Sequence, residues 1–302
     1  MKYRFSILMP VYNRENYVGQ AIDSVLAQTF KNYELFAIDD GSSDLSPAIL
    51  VSYGTRIKFL QQSNQGPEVA RNKAAALAQG EYLVFFDSDD YLFPFALETL
   101  DKVISRFGEP TLLMGSMARF QDGEEAPEAP TDRTIRVIKY PDYLSKTRPV
   151  GTMCIVVRKS VFDAVGGLRN STPQTWYCDD NTLLLKVGTR GESILIQSPC
   201  VSAYRQHGEN STKNTEAVAN ALIRLADSER QGDFGGKERR ADRYAYIGGR
   251  AAAWAFHYCW RAGHRKLAVK LLSGTAPMVT MAMFRKFLRK FRAPAELIVL
   301  GS

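Results

Sequence analysis

The first 107 residues alternate short apolar runs with segments of helical spacing, and this alternation constrains the fold more than any other feature of the sequence. The apolar runs have the length of strands, whereas the intervening segments carry apolar residues three or four positions apart, as amphipathic helices do. Strands that alternate with helices predict a parallel sheet covered on both faces. The predicted strands are 5–9, 33–38, 57–60 and 82–86, and the predicted helices are 16–28, 45–53, 66–79 and 94–107.

Polar residues gather where three of these strands end. Residues 10–14 follow the first strand, 39–44 follow the second, and 87–90 follow the fourth. Ligands of open α/β sheets bind outside the carboxyl ends of the strands, so we expect these three loops to line one crevice. The polar loop at 39–44 is also typical of a turn with a helix cap, and both interpretations stay open for 41–44. A functional role is favoured for Asp40.

The segment Asp87-Ser88-Asp89-Asp90 places three carboxylates within four residues at the end of an apolar strand. Like charges so close together repel one another and lose hydration, which a bound cation relieves. Mg²⁺ and Mn²⁺ prefer such oxygen ligands. The alternative is an acidic helix cap before Pro94, but a single Asp would satisfy a cap. The cluster therefore favours a metal site.

Composition narrows the class of protein. The 302 residues allow one large domain with an appendage, or two domains. No apolar segment approaches the ~20 residues of a transmembrane helix, and Pro10 interrupts the N-terminal apolar run before it resembles a signal peptide. Four widely spaced cysteines without a CxxC pair predict reduced, mostly buried thiols in a cytosolic protein. The lack of a GxGxxG sequence after the first strand argues against a dinucleotide site.

Charge is distributed unevenly along the chain. Residues 215–302 hold 16 of the 39 Lys/Arg and 7 of the 32 Asp/Glu, which leaves 23 against 25 in residues 1–214. The slightly acidic larger part argues against nucleic acid as the main ligand. A basic C-terminal part instead suits an anionic surface.

Within the basic part, residues 279–292 have helical spacing with one apolar face and cations elsewhere. Such a helix is typical of an interfacial anchor on an anionic membrane. The alternative is that the apolar face packs on the rest of the protein and the cations are solvated. The apolar face comprises Phe284, Phe287, Leu288 and Phe291, and the cations are Arg285, Lys286, Arg289, Lys290 and Arg292.

Four motifs resemble those of inverting glycosyltransferases of family 2, in the same order and spacing. They are Ser6-Ile7-Leu8-Met9-Pro10-Val11-Tyr12-Asn13, Ile38-Asp39-Asp40-Gly41-Ser42-Ser43-Asp44, Ala70-Arg71-Asn72 and Asp87-Ser88-Asp89-Asp90. Each motif is weak alone, but four in register are highly specific.

The resemblance covers roughly residues 4–210 and implies the GT-A fold. In that α/β fold a Rossmann-like mixed, mainly parallel sheet is flanked by helices. We expect a catalytic domain at 1–214, with a nucleotide-binding half at 1–107 and an acceptor half at 108–214. Residues 215–302 are expected to form a basic, helical C-terminal extension.

The resemblance also implies roles for residues of the first two loops. Pro10, Tyr12 and Arg14 would form the loop that cradles the nucleotide. Asp40 would read the base, usually uracil, by accepting its imide N–H. Arg71 would lie beside the base or a phosphate, although a helix-surface ion pair is the alternative for this residue.

The third loop, Asp87-Ser88-Asp89, resembles the DxD motif of the family. Asp89 would contact a Mn²⁺ or Mg²⁺ ion, and Asp87 would hold the sugar, the ribose or a metal-bound water. His207 belongs to a segment that resembles the one closing over the diphosphate, and it would contact metal or phosphate.

A second acidic site follows in the acceptor half. Residues 166–168 and 176–180 resemble a Gly-Gly-Phe…Glu-Asp segment of the family, in which Asp180 occupies the position of the catalytic base. Asp179 stands where Glu is usual, so the division of roles between Asp179 and Asp180 stays open. The alternative for this pair is a helix cap.

Taken together, the motifs imply metal-dependent, inverting transfer of a sugar from a nucleotide-diphosphate sugar, with a UDP-sugar favoured. The acceptor would be a hydroxyl of a glycan or a lipid-linked molecule, as in polysaccharide biosynthesis at the inner face of the cytoplasmic membrane. One alternative is a sugar-phosphate nucleotidyltransferase, but residues 8–18 lack the Gly-rich basic loop of that class. The other is an inactive nucleotide- or glycan-binding protein, against which the intact carboxylates argue.

Overall fold

Strands of two sheets form the frame of the molecule. The computed structural model describes residues 2–145, 154–168, 179–210, 213–235, 237–289 and 296–300. The strands are β1 (Tyr3–Val11), β2 (Tyr33–Asp39), β3 (Lys58–Gln61), β4 (Gly80–Phe85), β5 (Tyr91–Leu92), β6 (Leu112–Gly115), β7 (Met117–Gln121), β8 (Ile135–Tyr140), β9 (Cys154–Arg158), β10 (Ser193–Ser198), β11 (Ser202–Gln206) and β12 (Leu297–Leu300).

Helices flank the large sheet and make up most of the C-terminal part. They are α1 (Val18–Leu26), α2 (Ser46–Ser52), α3 (Pro67–Leu77), α4 (Ala96–Phe107), α5 (Lys159–Ala164), α6 (Asp179–Val187), α7 (Thr215–Gln231), α8 (Arg240–Trp254), α9 (Arg265–Gly274) and α10 (Ala276–Arg289). A π-helical segment, Ala255–Trp260, continues α8.

The large sheet is mixed and has the strand order β12-β8-β10-β6-β9-β4-β1-β2-β3. Strands β4, β1, β2 and β3 run parallel to one another, and β6 runs parallel to β10. Strand β9 lies antiparallel between β4 and β6 and joins the two parallel parts. The small sheet has the order β5-β11-β7. A mixed, mainly parallel sheet flanked by helices is the fold class that the sequence predicts.

Each strand and helix predicted in the first 107 residues is present, with ends that differ by a few residues. One difference lies between α3 and β4, where Gly80 is the first residue of β4, two residues before the predicted start of that strand. Helix α3 ends at Leu77 because Ala78 adopts an extended conformation. A Cβ at position 80 would lie 2.6 Å from the backbone N of Ser6, so only glycine permits this approach of β4 to β1.

Residues 122–134, between β7 and β8, form a surface loop that contains neither helix nor strand and is mostly exposed. The expected state of the cysteines agrees with the described residues. Cys154 and Cys259 are buried free thiols, and Cys200 is a partly buried one. Cys178 lies outside the described residues.

The C-terminal helices share an apolar core with the sheet. Leu222 of α7, Ile247 of α8 and Met278 of α10 belong to the same buried cluster as Leu184 of α6. Strand β12, which the sequence analysis did not predict, pairs with β8 and forms one edge of the large sheet. The domain division at 214 stays a prediction, although this core runs across it.

Helix α10 packs on α8 through one of its faces. Met278 is fully buried, and a Cβ added to Gly248 would lie 2.0 Å from the Met278 carbonyl oxygen. Phe284 and Phe287 point away from this contact and are 55% and 56% exposed. Phe291 and Arg292, the end of the predicted amphipathic helix, lie outside the described residues.

Within the described residues, no single helix combines the length and the apolar content needed to cross a bilayer. Helices α9 and α10 meet those two criteria only as a pair, across a bend of 81°.

Candidate active site

The loops after β1, β2 and β4 meet at the carboxyl edge of the sheet, as the sequence predicts. The backbone N–H of Asn13 donates to Ser42 Oγ at 3.0 Å, and its side-chain oxygen accepts from Ser43 N at 2.8 Å. Arg14 then joins the first loop to the third, because its Nε donates to Asp89 Oδ2 at 3.1 Å. The strand order β4-β1-β2 brings these loops together.

Three carboxylates lie at the end of β4. Asp87, Asp89 and Asp90 each offer an oxygen, and these oxygens lie within 4.8 Å of one another. Ser88 is buried in the same turn. The family motif gave Asp90 no role, but its place in the cluster makes it a third candidate ligand. The donor set suits a hard divalent cation.

Asp90 is the most enclosed of the three carboxylates. It is buried, and its Oδ1 accepts the backbone N–H of Arg205 at 3.1 Å. Burial raises the pKa of Asp90 well above its usual range, and the charges of Asp89 and Asp87 raise it further. A cation held by the cluster would lower the pKa of Asp90 again, because its charge stabilises the ionised carboxylate.

Asp89 contacts two basic side chains. Besides Arg14, its Oδ2 lies 3.0 Å from Nε2 of His207, whose Nδ1 accepts the Glu209 N–H at 3.3 Å. These two bonds fit a His207 ring that carries its proton on Nε2. Burial alone would raise the pKa of Asp89, but the His207 hydrogen bond and the Arg14 charge lower it. His207 itself is buried and packs on the ring of Tyr17, with centroids 4.7 Å apart.

Asp87 pairs with the guanidinium of Arg71, which lies nearly buried on α3. The Asp87 side chain still reaches solvent, yet reduced solvation raises its pKa. The charges of Asp89 and Asp180 add to the rise, and Arg71 opposes it. The charge of Asp180 therefore affects the pKa of a member of the carboxylate cluster.

Asp40 has an intramolecular role that the sequence did not predict. Its carboxylate is 2% exposed and accepts the backbone N–H groups of Gln65 at 2.9 Å and Gly66 at 2.8 Å. The side-chain amide of Gln62 donates to it at 2.8 Å. Asp40 thus fixes the loop that leads into α3. Tyr12, by contrast, is 45% exposed at the end of β1, and Pro10 is partly buried within that strand.

Asp180 lies in the first turn of α6. Its Oδ1 accepts two hydrogen bonds of 2.7 Å, one from the backbone N–H of Asn181 and one from the Asn181 side-chain amide. The Asn181 Oδ1 in turn accepts the Tyr246 hydroxyl at 2.7 Å. Neither Asn181 nor Tyr246 belongs to a motif, so sequence reasoning missed both. The side chain of Asp179 and residues 169–178, which include Trp176 and Tyr177, lie outside the described residues.

The predicted acceptor half contacts the nucleotide half beside this site. The side-chain amide of Asn72, on α3, donates to the Leu168 carbonyl at 2.9 Å and accepts the Leu168 N–H at 2.9 Å. Lys186 of α6 donates to the Gly167 carbonyl at 2.8 Å. These bonds tie α6 to α3, and therefore tie the helix that carries Asp180 to the helix that carries Arg71.

Comparison with known sequences agrees with this arrangement of motifs. The family model described as glycosyl transferase family 2 matches residues 6–166, more than half of the chain. The chain belongs to glycosyl transferase family 2. This family 2 member is 35% identical over 124 residues to the glycosyltransferase GlyA of Streptococcus pneumoniae. It is 47% identical over 113 residues to an uncharacterized glycosyltransferase of Haemophilus influenzae.

These alignments span only part of each protein. They cover 40% and 36% of this family 2 chain, and 18% of GlyA and 44% of the Haemophilus protein. The chain therefore matches less than half the length of either relative.

Solved structures share the fold along most of the chain. TarS of S. aureus, residues 1–349 in complex with UDP-GlcNAc, superposes with a TM-score of 0.65 at 17% identity, over 91% of this chain and 81% of that one. The mannosyltransferase PcManGT of Pyrobaculum calidifontis, in complex with GDP-Man and Mn²⁺, gives a TM-score of 0.60 at 15% identity, over 97% and 82%. The family 2 protein thus has the GT-A fold that its sequence predicts.

Proposed function

We propose that this protein is a metal-dependent, inverting glycosyltransferase that transfers a sugar from a nucleotide-diphosphate sugar, with a UDP-sugar favoured, to a hydroxyl of a glycan or lipid-linked acceptor. The observation that carries the proposal is the carboxylate cluster of Asp87, Asp89 and Asp90, which lies at the carboxyl edge of the sheet beside the loops after β1 and β2. Family membership supports transfer over the nucleotidyltransferase alternative.

The cluster would hold Mn²⁺ or Mg²⁺. Its donors are carboxylate oxygens, which both ions prefer, and the burial of Asp90 beside two other carboxylates favours a bound cation. Such an ion would supply Lewis-acid stabilisation of the charge on the departing diphosphate. His207 and Arg14 contact Asp89, which supports a role for both in contacting a metal-bound phosphate.

The loops after β1 and β2 would bind the nucleotide. Asp40 accepts two hydrogen bonds on Oδ1 and one on Oδ2, which leaves an acceptor position on Oδ2 for the imide N–H of uracil. Pro10 and the exposed ring of Tyr12 would line the pocket, and Arg71 would contact base or phosphate. Since cytosine has no equivalent imide N–H, this role of Asp40 favours a uracil over a cytosine nucleotide.

Asp180 would act as the general base. The acceptor hydroxyl proton moves to its carboxylate while the hydroxyl oxygen bonds to the anomeric carbon. The bond between that carbon and the diphosphate breaks, and the nucleoside diphosphate leaves with the electron pair. The influence of Asp180 on the pKa of Asp87 supports a common cleft for base and donor. Asp179 stays the second candidate.

A donor panel tests this proposal. UDP-glucose, UDP-galactose, UDP-N-acetylglucosamine and GDP-mannose are incubated with the protein in MnCl₂, MgCl₂ or EDTA, and release of nucleoside diphosphate into water is measured. We expect release from at least one UDP-sugar with metal and loss of that release in EDTA. Equal release in EDTA would contradict the metal role, and release from GDP-mannose alone would contradict the preference for a UDP-sugar.

We also propose that the C-terminal part docks on an anionic membrane surface at the inner face of the cytoplasmic membrane. The outward face of α10 is apolar at helical spacing, while its opposite face is fixed on α8 by the contact of Met278 with Gly248. From Arg243 to Ala295 the sequence has 11 Lys/Arg and no Asp or Glu. Apolar side chains on a helix of a segment with an excess of cations suit anionic lipid. The exposed residues of α10 are Ala276, Pro277, Thr280, Met283, Phe284, Lys286 and Phe287.

Vesicle co-sedimentation tests the membrane proposal. The Phe284→Ser/Phe287→Ser variant is compared with a matched control, Val51→Ser/Leu77→Ser, which removes two other exposed apolar side chains on α2 and α3. We expect the wild type and the control to bind phosphatidylglycerol vesicles and the α10 variant to bind at least about tenfold more weakly. Equal binding by both variants would contradict the proposal, as would equal binding to phosphatidylcholine vesicles.

A further inference from the structure

A hydrogen-bond chain connects the C-terminal helices to the proposed base. Tyr246 lies on α8, and its hydroxyl donates to Asn181 Oδ1 at 2.7 Å. Asn181 is 2% exposed, and its side-chain amide donates to Asp180 Oδ1 at 2.7 Å. The chain therefore runs from a helix outside the matched family region, which ends at 166, to a carboxylate of the site.

The direction of this chain follows from its donors and acceptors. A side-chain amide has one acceptor oxygen and one donor nitrogen. Because the Tyr246 hydroxyl donates to the Asn181 oxygen, the Asn181 nitrogen must face Asp180. The reversed amide would direct its oxygen at the carboxylate, which also accepts, and would lose the hydrogen bond to Asp180. The amide orientation that donates to Asp180 is thus held at its other end by the hydrogen bond from Tyr246.

Packing holds Tyr246 in place. Its ring meets the ring of the buried Tyr143 edge to face, with centroids 5.6 Å apart. Two residues further along α8, Gly248 is fixed against α10 by close backbone contact. The hydroxyl of Tyr246 is therefore carried by a helix whose register is determined by its neighbours.

We infer that Tyr246 is a positioning residue for Asp180 and that it acts through Asn181. Two donors on Asp180 Oδ1 hold the carboxylate in one orientation, and a base must be oriented toward the hydroxyl that it deprotonates. The inference rests on the proposed role of Asp180 as base. It assigns the C-terminal helices a part in turnover, in addition to their packing on the sheet.

The test compares Tyr246→Phe with Tyr244→Phe, a matched control that removes a hydroxyl from the same helix. The Tyr244 ring contacts Arg240 and has no described contact with α6. Release of UDP from the UDP-sugars of the panel is measured with MnCl₂, together with UDP affinity and thermal stability. We expect Tyr246→Phe to lower kcat by about tenfold at unchanged UDP affinity, and Tyr244→Phe to match the wild type.

Double variants separate positioning from packing. If Tyr246 acts through Asn181, then Tyr246→Phe has no further effect on kcat when it is combined with Asn181→Leu or Asp180→Asn. A merely structural tyrosine would lower activity by the same factor in every background, and that additive result would overturn the inference. An inactive Asp180→Asn with a fully active Tyr246→Phe would overturn the inference alone. A fully active Asp180→Asn would overturn the proposed base.

A spectroscopic measurement tests the hydrogen bonds without any donor. In ¹⁵N-labelled protein, the side-chain amide resonances of Asn181 are assigned by their loss in Asn181→Leu. We expect them to exchange slowly with water in the wild type and in Tyr244→Phe, and to shift and exchange faster in Tyr246→Phe. Unchanged Asn181 resonances in Tyr246→Phe would overturn the inference even if the variant lost stability.

Discussion

The carboxylates after β4 and the carboxylate at the start of α6 are held by different kinds of partner. Asp87 and Asp89 contact the guanidinium groups of Arg71 and Arg14, and Asp89 also contacts the His207 ring. The hydrogen bonds described for Asp180 come from the neutral backbone and side-chain amides of Asn181. The partners described for the two acidic sites therefore differ in charge.

This difference matches the chemistry proposed for each site. A metal ligand functions as an anion, and neighbouring cations keep a carboxylate ionised, as the lowered pKa of Asp89 indicates. A general base must instead gain a proton during the reaction. Neutral donors orient a carboxylate and oppose its protonation less than a full positive charge would. Substitutions of Asp89 and Asp180 test whether the first acts as a metal ligand and the second as a general base.

Loss of the ligand should have the largest effect. We expect Asp89→Asn to lower metal-dependent UDP release by at least about 10³-fold, because the change removes a charged metal ligand and its pairing with Arg14 and His207. UDP with MnCl₂ should raise the melting temperature of the wild type but not of this variant. Asp227→Asn, an exposed change on α7, is the matched control. Retained activity with unchanged Mn²⁺ dependence would remove Asp89 from the metal site.

Loss of the base should affect turnover but not donor binding. We expect Asp180→Asn to lower kcat by ~10²–10⁴-fold, whereas UDP with MnCl₂ should stabilise the variant as much as the wild type. Asp179→Asn should have the milder effect, and the reverse ranking would exchange the two roles. If UDP affinity fell while bound donor still reacted, Asp180 would belong with the donor ligands, and the contrast between the two sites would disappear.

Sequence and structure agree best for residues whose position follows from the order of strands and helices in a parallel sheet. Loops that follow parallel strands must meet at one edge, so the approach of Arg14 to Asp89, 75 residues away, was implicit in the predicted topology. Four helices and four strands of the first 107 residues were predictable from apolar spacing for the same reason. Family resemblance added His207, whose contact with Asp89 spans 118 residues.

Contacts between side chains of distant helices were not predictable in this way. Tyr246 and Asn181 are 65 residues apart on helices whose packing angle no local pattern determines. The hydrogen bonds of Asp40 to the loop before α3 depend on where that loop turns back. Gly66, at φ +96°, is typical of a turn, but a glycine in the sequence does not indicate which side chain its N–H contacts. Strand β12 is a four-residue apolar run that is too short to distinguish from a helix segment.

The smallest expected effect concerns pH and the most enclosed carboxylate. Because the pKa of Asp90 is raised in the folded protein, the folded state holds this proton more tightly than the unfolded chain. The free energy of unfolding therefore falls as pH rises through the raised pKa, and the contribution of Asp90 is fully present only at lower pH. We expect Asp90→Asn in EDTA to lessen this fall, by a difference on the order of 1 kcal/mol between acidic and neutral pH. Urea unfolding of both proteins at several pH values measures the difference.

MnCl₂ should reverse the order of the two stabilities at neutral pH, since a bound cation stabilises the ionised Asp90 and not the amide. An identical pH dependence of the two proteins in EDTA would mean that folding does not raise the pKa of Asp90. The burial of Asp90 would then not distinguish the carboxylate cluster from the Asp180 site.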